Sequence, residues 1–387
     1  MKHQIFSIIL LISLDFESPA AEVVVQLPAL PKIPLIFADR RLAIVYPVIQ
    51  QFKNLITSDP FNITDTWTGA DVCRYTGFYC EAPPDDESAI AIASIDFNGF
   101  GLSSPSIVGF LDQLPDIAIF HANSNRFSGP FPPTIVGLPY LYELDISNNL
   151  FSGPVPPSIF RMDGLSYLDV RFNHFTGSIP PEIFTGDIDF LFLNNNDFMA
   201  RLPDEIGPDT NILYLTLANN KFFGPIPRGI SRALSGLSEI LLLNNLLSGC
   251  LPYELGLLKD AVVFDAGNNN LTGPLPFSLG CMENLEVLDF AGNMLYGNIP
   301  DVICGLGKLV NLSLSDNYFT RAGPRCMGLM KNGVLDARKN CIPGQGSQRP
   351  VAECAAFFAR SLYCPYSDTY SKIPCSLPQF NSSSSQP

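Results

Sequence analysis

The sequence predicts a curved solenoid of about eleven stacked repeats, lined inside by a parallel β-sheet and closed at each end by a cysteine-clipped cap. Three observations carry this. Asparagines recur at Asn125, Asn149, Asn173, Asn196, Asn220, Asn245, Asn269, Asn293, Asn317 and Asn340, always 23 to 25 residues apart. Such a period marks a repeat array in which each unit buries its apolar face on its neighbours. Apolar residues alternate just before each asparagine, the period of a short strand. Cysteines stand on both flanks of the array.

Taken in order, each unit has the same parts. Leu141-x-x-Leu144-x-Ile146-x-x-Asn149-x-Phe151 is one copy and Leu285-x-x-Leu288-x-Phe290-x-x-Asn293-x-Leu295 another. An earlier unit, Ile92-x-x-Ile95-x-Phe97, has Phe100 where the asparagine belongs. This is the pattern of an α/β leucine-rich-repeat solenoid, a right-handed array with a parallel concave sheet. Strands stacked at ~4.8 Å give eleven of them an inner face about 50 Å long. The asparagine amide both donates and accepts, so it can satisfy backbone groups that the turn leaves unpaired inside. The ten asparagines are therefore read as structural.

A second signature follows most of the asparagines, as in Phe127-Ser128-Gly129-Pro130 and Phe175-Thr176-Gly177-Ser178-Ile179-Pro180. Glycine permits the turn and proline fixes the extended segment after it. This L-x-G-x-I-P form resembles the plant class of extracellular leucine-rich repeats over residues 89–343. Before the array, residues 1–20 have a basic start, an apolar run from Ile5 to Leu14 and small residues at Ser18-Pro19-Ala20, as in a secretory signal peptide. Residues 21–88 form a linker and N-terminal cap, with a helix expected over Leu42 to Ile56, then Trp67 and the pair Cys73 and Cys80. Residues 344–379 form a cysteine-rich C-terminal cap and 380–387 a serine-rich tail. No membrane-spanning helix is expected.

The caps sharpen the resemblance. Asn340-Cys341-Ile342-Pro343-Gly344, the segment from Glu353-Cys354 to Arg360, Cys364 and Cys375 after the repeats, with Gly249-Cys250-Leu251-Pro252, Cys304 and Cys326 within them, resemble the leucine-rich-repeat extensin family of plant cell walls. Members of that family continue into long runs of serine followed by prolines, whereas this sequence ends at Asn381-Ser382-Ser383-Ser384-Ser385-Gln386-Pro387. The match is thus to its tail-less relatives, and wall cross-linking through a tail is not carried over. The resemblance implies export to the plant cell wall or apoplast, and ligands of the rapid alkalinization factor type: small, basic, cysteine-containing secreted peptides.

Ten cysteines fit an oxidising compartment. Proximity makes Cys73–Cys80 and Cys304–Cys326 the expected pairs, and Cys250–Cys281 would join adjacent repeats. Cys341, Cys354, Cys364 and Cys375 allow three arrangements. Asn62, Asn270, Asn311 and Asn381 head glycosylation sequons. A glycan on Asn311 would lie on the concave face and block that end.

Function is expected on the concave face. The position between the core residues of each strand gives Asp96, His121, Asp145, Asp169, Phe192, Thr216, Leu241, Asp265, Asp289, Ser313 and Asp336, with Glu143 and Glu239 on the same side. Arg171 joins them, and Tyr167, Phe172, Phe190, Phe192 and Tyr214 form a central aromatic patch. One reading is that the aspartates only solvate the sheet. The other is that acidic flanks steer a basic protein or peptide while aromatics anchor it, and the aromatic patch favours this. Cell-wall polysaccharide or wall protein is a second partner class. Polygalacturonase inhibitors share the repeat form but have different caps, and a structural wall role lacks the tail that would create it.

The net charge of −14 disfavours nucleic acid and anionic membrane. No enzyme motif, cofactor loop or metal-ligand spacing is found: His121 and His174 stand alone, without G-x-S-x-G or H-E-x-x-H. Aspartates repeat along the column because the repeats do, and a flat open face is expected to offer no pocket that raises a carboxyl pKa.

Overall fold

A computed structural model describes residues 35–184, 186–203, 212–230, 236–361, 363–365 and 367–375. The expected signal peptide, the tail at 380–387 and Asn381 lie outside the described residues. The chain divides into Met1–Ile36 and Phe37–Pro387, and the architecture below belongs to the second unit.

The eleven expected strands form one sheet. They are Ala91–Asp96, Ile119–His121, Glu143–Asp145, Tyr167–Asp169, Phe190–Phe192, Tyr214–Thr216, Glu239–Leu241, Val263–Asp265, Val287–Asp289, Asn311–Ser313 and Leu335–Asp336, each parallel to the next. A twelfth, Phe78–Glu81, pairs antiparallel with the first and covers its open edge. An exposed edge is a template for unwanted pairing, so this strand protects the array's start. A second row of short parallel strands follows the asparagine turns, including Arg126–Gly129, Leu150–Pro154, Leu246–Cys250 and Met294–Ile299.

Between the two rows lies the core. Ile95, Phe120, Leu144, Leu168, Leu191, Leu215, Ile240, Phe264, Leu288 and Leu312 point inward from the sheet and are almost wholly buried. From the other row, Phe127, Phe151, Phe175, Phe198 and Phe222 meet them, with Phe151 stacked on Phe175 at 6.1 Å and Phe198 on Phe222 at 6.2 Å. Repeats so joined share one continuous core that none of them could build alone.

The asparagines tie the repeats together as the sequence suggests. The amide nitrogen of Asn220 donates to Leu193 O at 3.0 Å in the preceding repeat, and to Leu217 O and Ala218 O in its own. Its Oδ1 accepts the Phe198 N–H at 3.1 Å. The same bonds recur from Asn125 to Asn340, and all ten residues are buried. The residue before each takes a left-handed conformation, which asparagine tolerates, as at Asn148, Asn195, Asn219, Asn244 and Asn268. In the first repeat no earlier repeat supplies a carbonyl to cross to, and Phe100 packs beside Phe97 at 6.0 Å.

The N-terminal cap is an α-helix, Arg40–Leu55, begun by Asp39, whose carboxylate accepts the Arg41 N–H at 2.7 Å. It starts two residues earlier than the expected span. Its buried face, Leu42, Val45, Ile49 and Phe52, closes the core, and Phe52 stacks on Phe110 at 3.9 Å. Trp67 is fully buried and donates to Thr76 O at 3.0 Å beside the Cys73–Cys80 disulfide. No helix among the described residues is long and apolar enough to cross a membrane.

Cysteine pairing corrects one expectation. Cys73–Cys80 and Cys304–Cys326 pair as sequence proximity suggests, but Cys250 joins Cys364 and Cys281 joins Cys375, with Cys341–Cys354 completing the set. The segment after the helix Val351–Phe358 runs back over earlier repeats, so cysteines 114 and 94 residues apart meet. Proximity in sequence could not reveal that return.

Because the Leu193, Leu217 and Ala218 carbonyls that Asn220 bonds also accept from Asn196, Asn245 and the Asn195 N–H, Asn220→Ala should leave the buried Phe198 N–H unpaired and lower stability by about 2 kcal/mol. Urea denaturation followed by circular dichroism measures this; a loss below about 1 kcal/mol would show the ladder to be dispensable there.

Candidate functional site on the inner sheet face

Parallel, in-register pairing turns alternate strand positions into columns. One column runs Ile119, Glu143, Tyr167, Phe190, Tyr214, Glu239, Val263, Val287 and Asn311. Three aromatic residues therefore sit side by side with a glutamate at each end. Tyr167 lies 6.0 Å from Phe190, and Phe190 stacks on Tyr214 at 5.4 Å. The neighbouring column runs Asp96, His121, Asp145, Asp169, Phe192, Thr216, Leu241, Asp265, Asp289, Ser313 and Asp336, as the sequence alignment gives it. Phe192 reaches across to Tyr167 at 5.6 Å, so four rings form one half-buried surface.

Phe172 does not join that ring surface. It occupies the left-handed position of its turn, φ 53°, where other repeats place asparagine, and its side chain is 49% exposed. A bulky side chain is strained in this conformation, and strain of this kind collects at functional positions.

Asp169 departs from the expected solvent-facing charge. It is fully buried, accepts the Arg171 N–H at 3.0 Å and the Tyr167 hydroxyl at 3.4 Å, and pairs with Arg171 Nε at 2.9 Å. The Arg171 guanidinium in turn lies over the Phe192 ring at 5.0 Å. Burial, reinforced by the stacked Asp145, pushes the Asp169 carboxyl up to about 7 against the opposing pull of Arg171. Burial chiefly, with Asp169 and Asp145 adding to it, also raises the Tyr167 hydroxyl.

A second stack repeats the effect. Asp265 is pushed up to about 6, mainly by burial and further by Asp289, while Asp289 is itself raised by burial. In-register stacking sets like charges on adjacent strands, which disfavours ionising both. The expectation that an open face leaves carboxyls unshifted is thus overturned, since half-covered neighbours on a sheet desolvate them. At the array's end Arg338 hydrogen-bonds Asp336 and holds it below the usual range.

At the other end His121 Nε2 lies 3.0 Å from Glu143 Oε2, linking the two columns. Asp145 and Glu239 remain partly exposed beside the rings, and Asp96 stands apart at the first strand. Asn194, which the sequence reading did not single out, lies two residues after Phe192, and its Oδ1 is buried without a hydrogen-bond partner. Its only signal in the sequence is its place in the strand-exit register shared with Arg171. Asn62, Asn270 and Asn311 are exposed, and Asn311 closes the aromatic column at repeat ten.

Among the described residues no group of three or more His, Cys, Asp or Glu is arranged to hold a metal ion. What the face offers chemically is a row of rings, an arginine paired with Asp169 and acidic ends.

Comparison with known proteins agrees with this architecture. A family model described as Leucine Rich Repeat matches residues 140–162, 164–185 and 284–306. Leucine-rich repeat extensin-like protein 6 of Arabidopsis thaliana is 45% identical over 342 residues, covering 87% of this chain and 70% of that protein. Leucine-rich repeat extensin-like protein 2 of the same plant is 44% identical over 333 residues, 85% of this chain and 42% of its own length. The chain thus spans less than half of one relative and about two thirds of the other. Among solved structures, the plant peptide hormone receptor RGFR1 in complex with RGF2 superposes with a TM-score of 0.55 at 26% identity, covering 59% of this chain and 37% of that one.

Two substitutions test the site's energetics. The native state holds the Asp169 proton to about pH 7 while the unfolded chain releases it near 3.8, so Asp169's contribution to stability falls as pH rises through that window. Asp169→Asn, which keeps an acceptor for the Arg171 N–H, should melt about 2 °C or more above the parent near pH 8. The gap should close near pH 4; a gap independent of pH would contradict the buried-carboxyl reading. Phe172→Asn should raise the unfolding free energy by roughly 0.5–1 kcal/mol by relieving the left-handed phenylalanine, read from denaturation midpoints.

Proposed function

The chain belongs to the leucine-rich repeat extensin-like family, and from that premise we propose that it is a secreted plant protein of the cell wall or apoplast that binds a peptide on its inner sheet face. The observation that carries this is the row Glu143, Tyr167, Phe190, Tyr214 and Glu239, three adjacent rings between two acids. Clustered aromatics with a charged rim match the division of a binding surface into a desolvated anchor and a steering periphery. The complex of the similar plant peptide hormone receptor RGFR1 with RGF2 supports the same use of the fold.

The ligand we favour is a small, basic, cysteine-containing signalling peptide of the rapid alkalinization factor type. The protein's net charge of −14 and the partly exposed Glu143, Asp145 and Glu239 draw such a cation toward the rings. Arg171, beside the rings, supplies a donor for the peptide backbone at the centre.

Titration calorimetry of the glycosylated protein against a panel of these peptides at low and high salt tests the proposal. Tight binding that weakens with salt is expected. Glu143→Gln, Asp145→Asn and Glu239→Gln together should flatten the salt dependence, because rim charges act through screened long-range attraction. Tyr214→Ala should instead weaken binding at every salt concentration by roughly tenfold or more. Absence of binding across the panel would overturn the peptide assignment, and affinity unchanged in both variants would move the site off this face.

A further inference from the structure

The uncharged part of the inner face has a definite outline. In one column Tyr167, Phe190 and Tyr214 lie between Glu143 and Glu239. In the neighbouring column Phe192, Thr216 and Leu241 lie between Asp169 and Asp265. Asp169 is buried against Arg171, so the accessible acid at that end is Asp145, one strand further on. The outcome is an uncharged block two columns wide and three strands deep in each column, the columns staggered by one strand. Acids close both of its short ends.

The dimensions of this block discriminate between backbone conformations of a bound chain. Strands stacked at ~4.8 Å set Glu143 and Glu239, four strands apart, at about 19 Å. An α-helix covers that length in about 13 residues, and its apolar positions i, i+3, i+4 and i+7 form a stripe two side chains wide. Two columns receive such a stripe. An extended chain laid along the same line turns alternate side chains to the sheet in a single row, ~6.7 Å apart. Successive ring centroids are 6.0 and 5.4 Å apart, short of that spacing and close to the helical pitch of ~5.4 Å.

Ring orientation disfavours a polysaccharide. Phe190 and Tyr214 are within 14° of parallel with centroids 5.4 Å apart, an offset stack. Rings this close cannot both lie flat on the sheet, so they turn their faces to each other and their edges outward. A sugar packs on an exposed aromatic face, and its several hydroxyls would each need a partner on a block that offers few.

We propose, building on the peptide-binding reading of this face, that the ligand segment seated here is an amphipathic α-helix lying across the strands, its aliphatic stripe on the two columns and basic residues in its first and last turns against the acids at the two ends. Helices docked in grooves anchor through i, i+3, i+4 and i+7 in this way. The end charges set the helix's position along the array, and the rings supply most of the affinity. A helix with acidic ends is rejected by like charge, and one with a charge inside its stripe would bury that charge against the rings.

The test uses the full oxidised protein and two synthetic peptides of about 15 residues with one composition. The first places leucines at i, i+3, i+4 and i+7 with two arginines in each terminal turn; the second keeps the arginines and alternates the leucines. Fluorescence anisotropy should show the first binding roughly tenfold or more tighter, and circular dichroism should show its helix content rising on binding. Tyr214→Ala should weaken it roughly tenfold. Glu143→Gln with Glu239→Gln, rim positions that do not risk the fold, should weaken it at low salt and leave high-salt binding unchanged. Equal affinity for the two peptides, preference for the alternating one, or no gain of helix on binding would overturn the helix. Calorimetric binding of the basic cysteine-containing peptides with neither synthetic peptide bound would overturn the helix and leave the peptide-binding face standing. Silence from every peptide would overturn both.

Discussion

The rest of the molecule depends on the buried asparagine that closes ten of the eleven parallel strands. Its amide spans two repeats: the nitrogen donates to a carbonyl of the preceding unit and the oxygen accepts an amide from the same unit, as Asn149 does with Ala122 and Phe127. A strand of three residues has too few hydrogen bonds to hold its neighbour's turn in register, and buried backbone groups left open there would be costly. Ten such residues at a nearly constant interval fix the repeat spacing, and the spacing fixes the sheet. The core of leucines, isoleucines and phenylalanines then fills a space whose dimensions the ladder has set.

From that register the properties of the inner face follow. Parallel pairing without slippage places residue types from successive repeats side by side, so aromatics gather into a row and aspartates into stacks. Stacking has opposite consequences for the two. Rings gain contact, whereas carboxylates lose solvent and face one another, and Asp169 and Asp265 keep their protons toward neutral pH. The face is therefore less acidic near neutrality than its composition suggests, and its accessible negative charge rests more on Glu143, Asp145 and Glu239 than on the buried members of the column. Arg171, held between Asp169 and Phe192, is a product of the same packing.

The two ends are closed in different ways. At the start, the helix Arg40–Leu55, Trp67 and an antiparallel strand cover the core with apolar surface and finish the sheet edge. At the finish, Phe357 stacks on Tyr318 at 3.6 Å, Arg349 lies over the same tyrosine, and the chain turns back to be tied to Cys250 and Cys281. Long disulfide loops of this kind constrain the unfolded chain strongly, and here they also create a surface, because the returning segment makes one wall of a cleft that the repeats alone would leave open.

The sequence by itself determined the repeat, the number of parallel strands, the role of the asparagines and the membership of the column from Asp96 to Asp336, because a period of two within a period of 24 leaves one way to point each side chain. It also gave Cys73–Cys80 and Cys304–Cys326, while Cys341–Cys354 was one of three arrangements it left open. Tertiary structure alone decided the rest. Whether Asp169 is solvated depends on how Tyr167, Arg171 and Asp145 crowd it, and whether Phe172 joins the rings depends on a backbone angle that its neighbours in the turn impose. The pairing of Cys250 with Cys364 depends on where a segment more than 100 residues later comes to lie. Local pattern carries information about repeating geometry; contacts made once, between parts distant in the chain, leave no periodic trace to read.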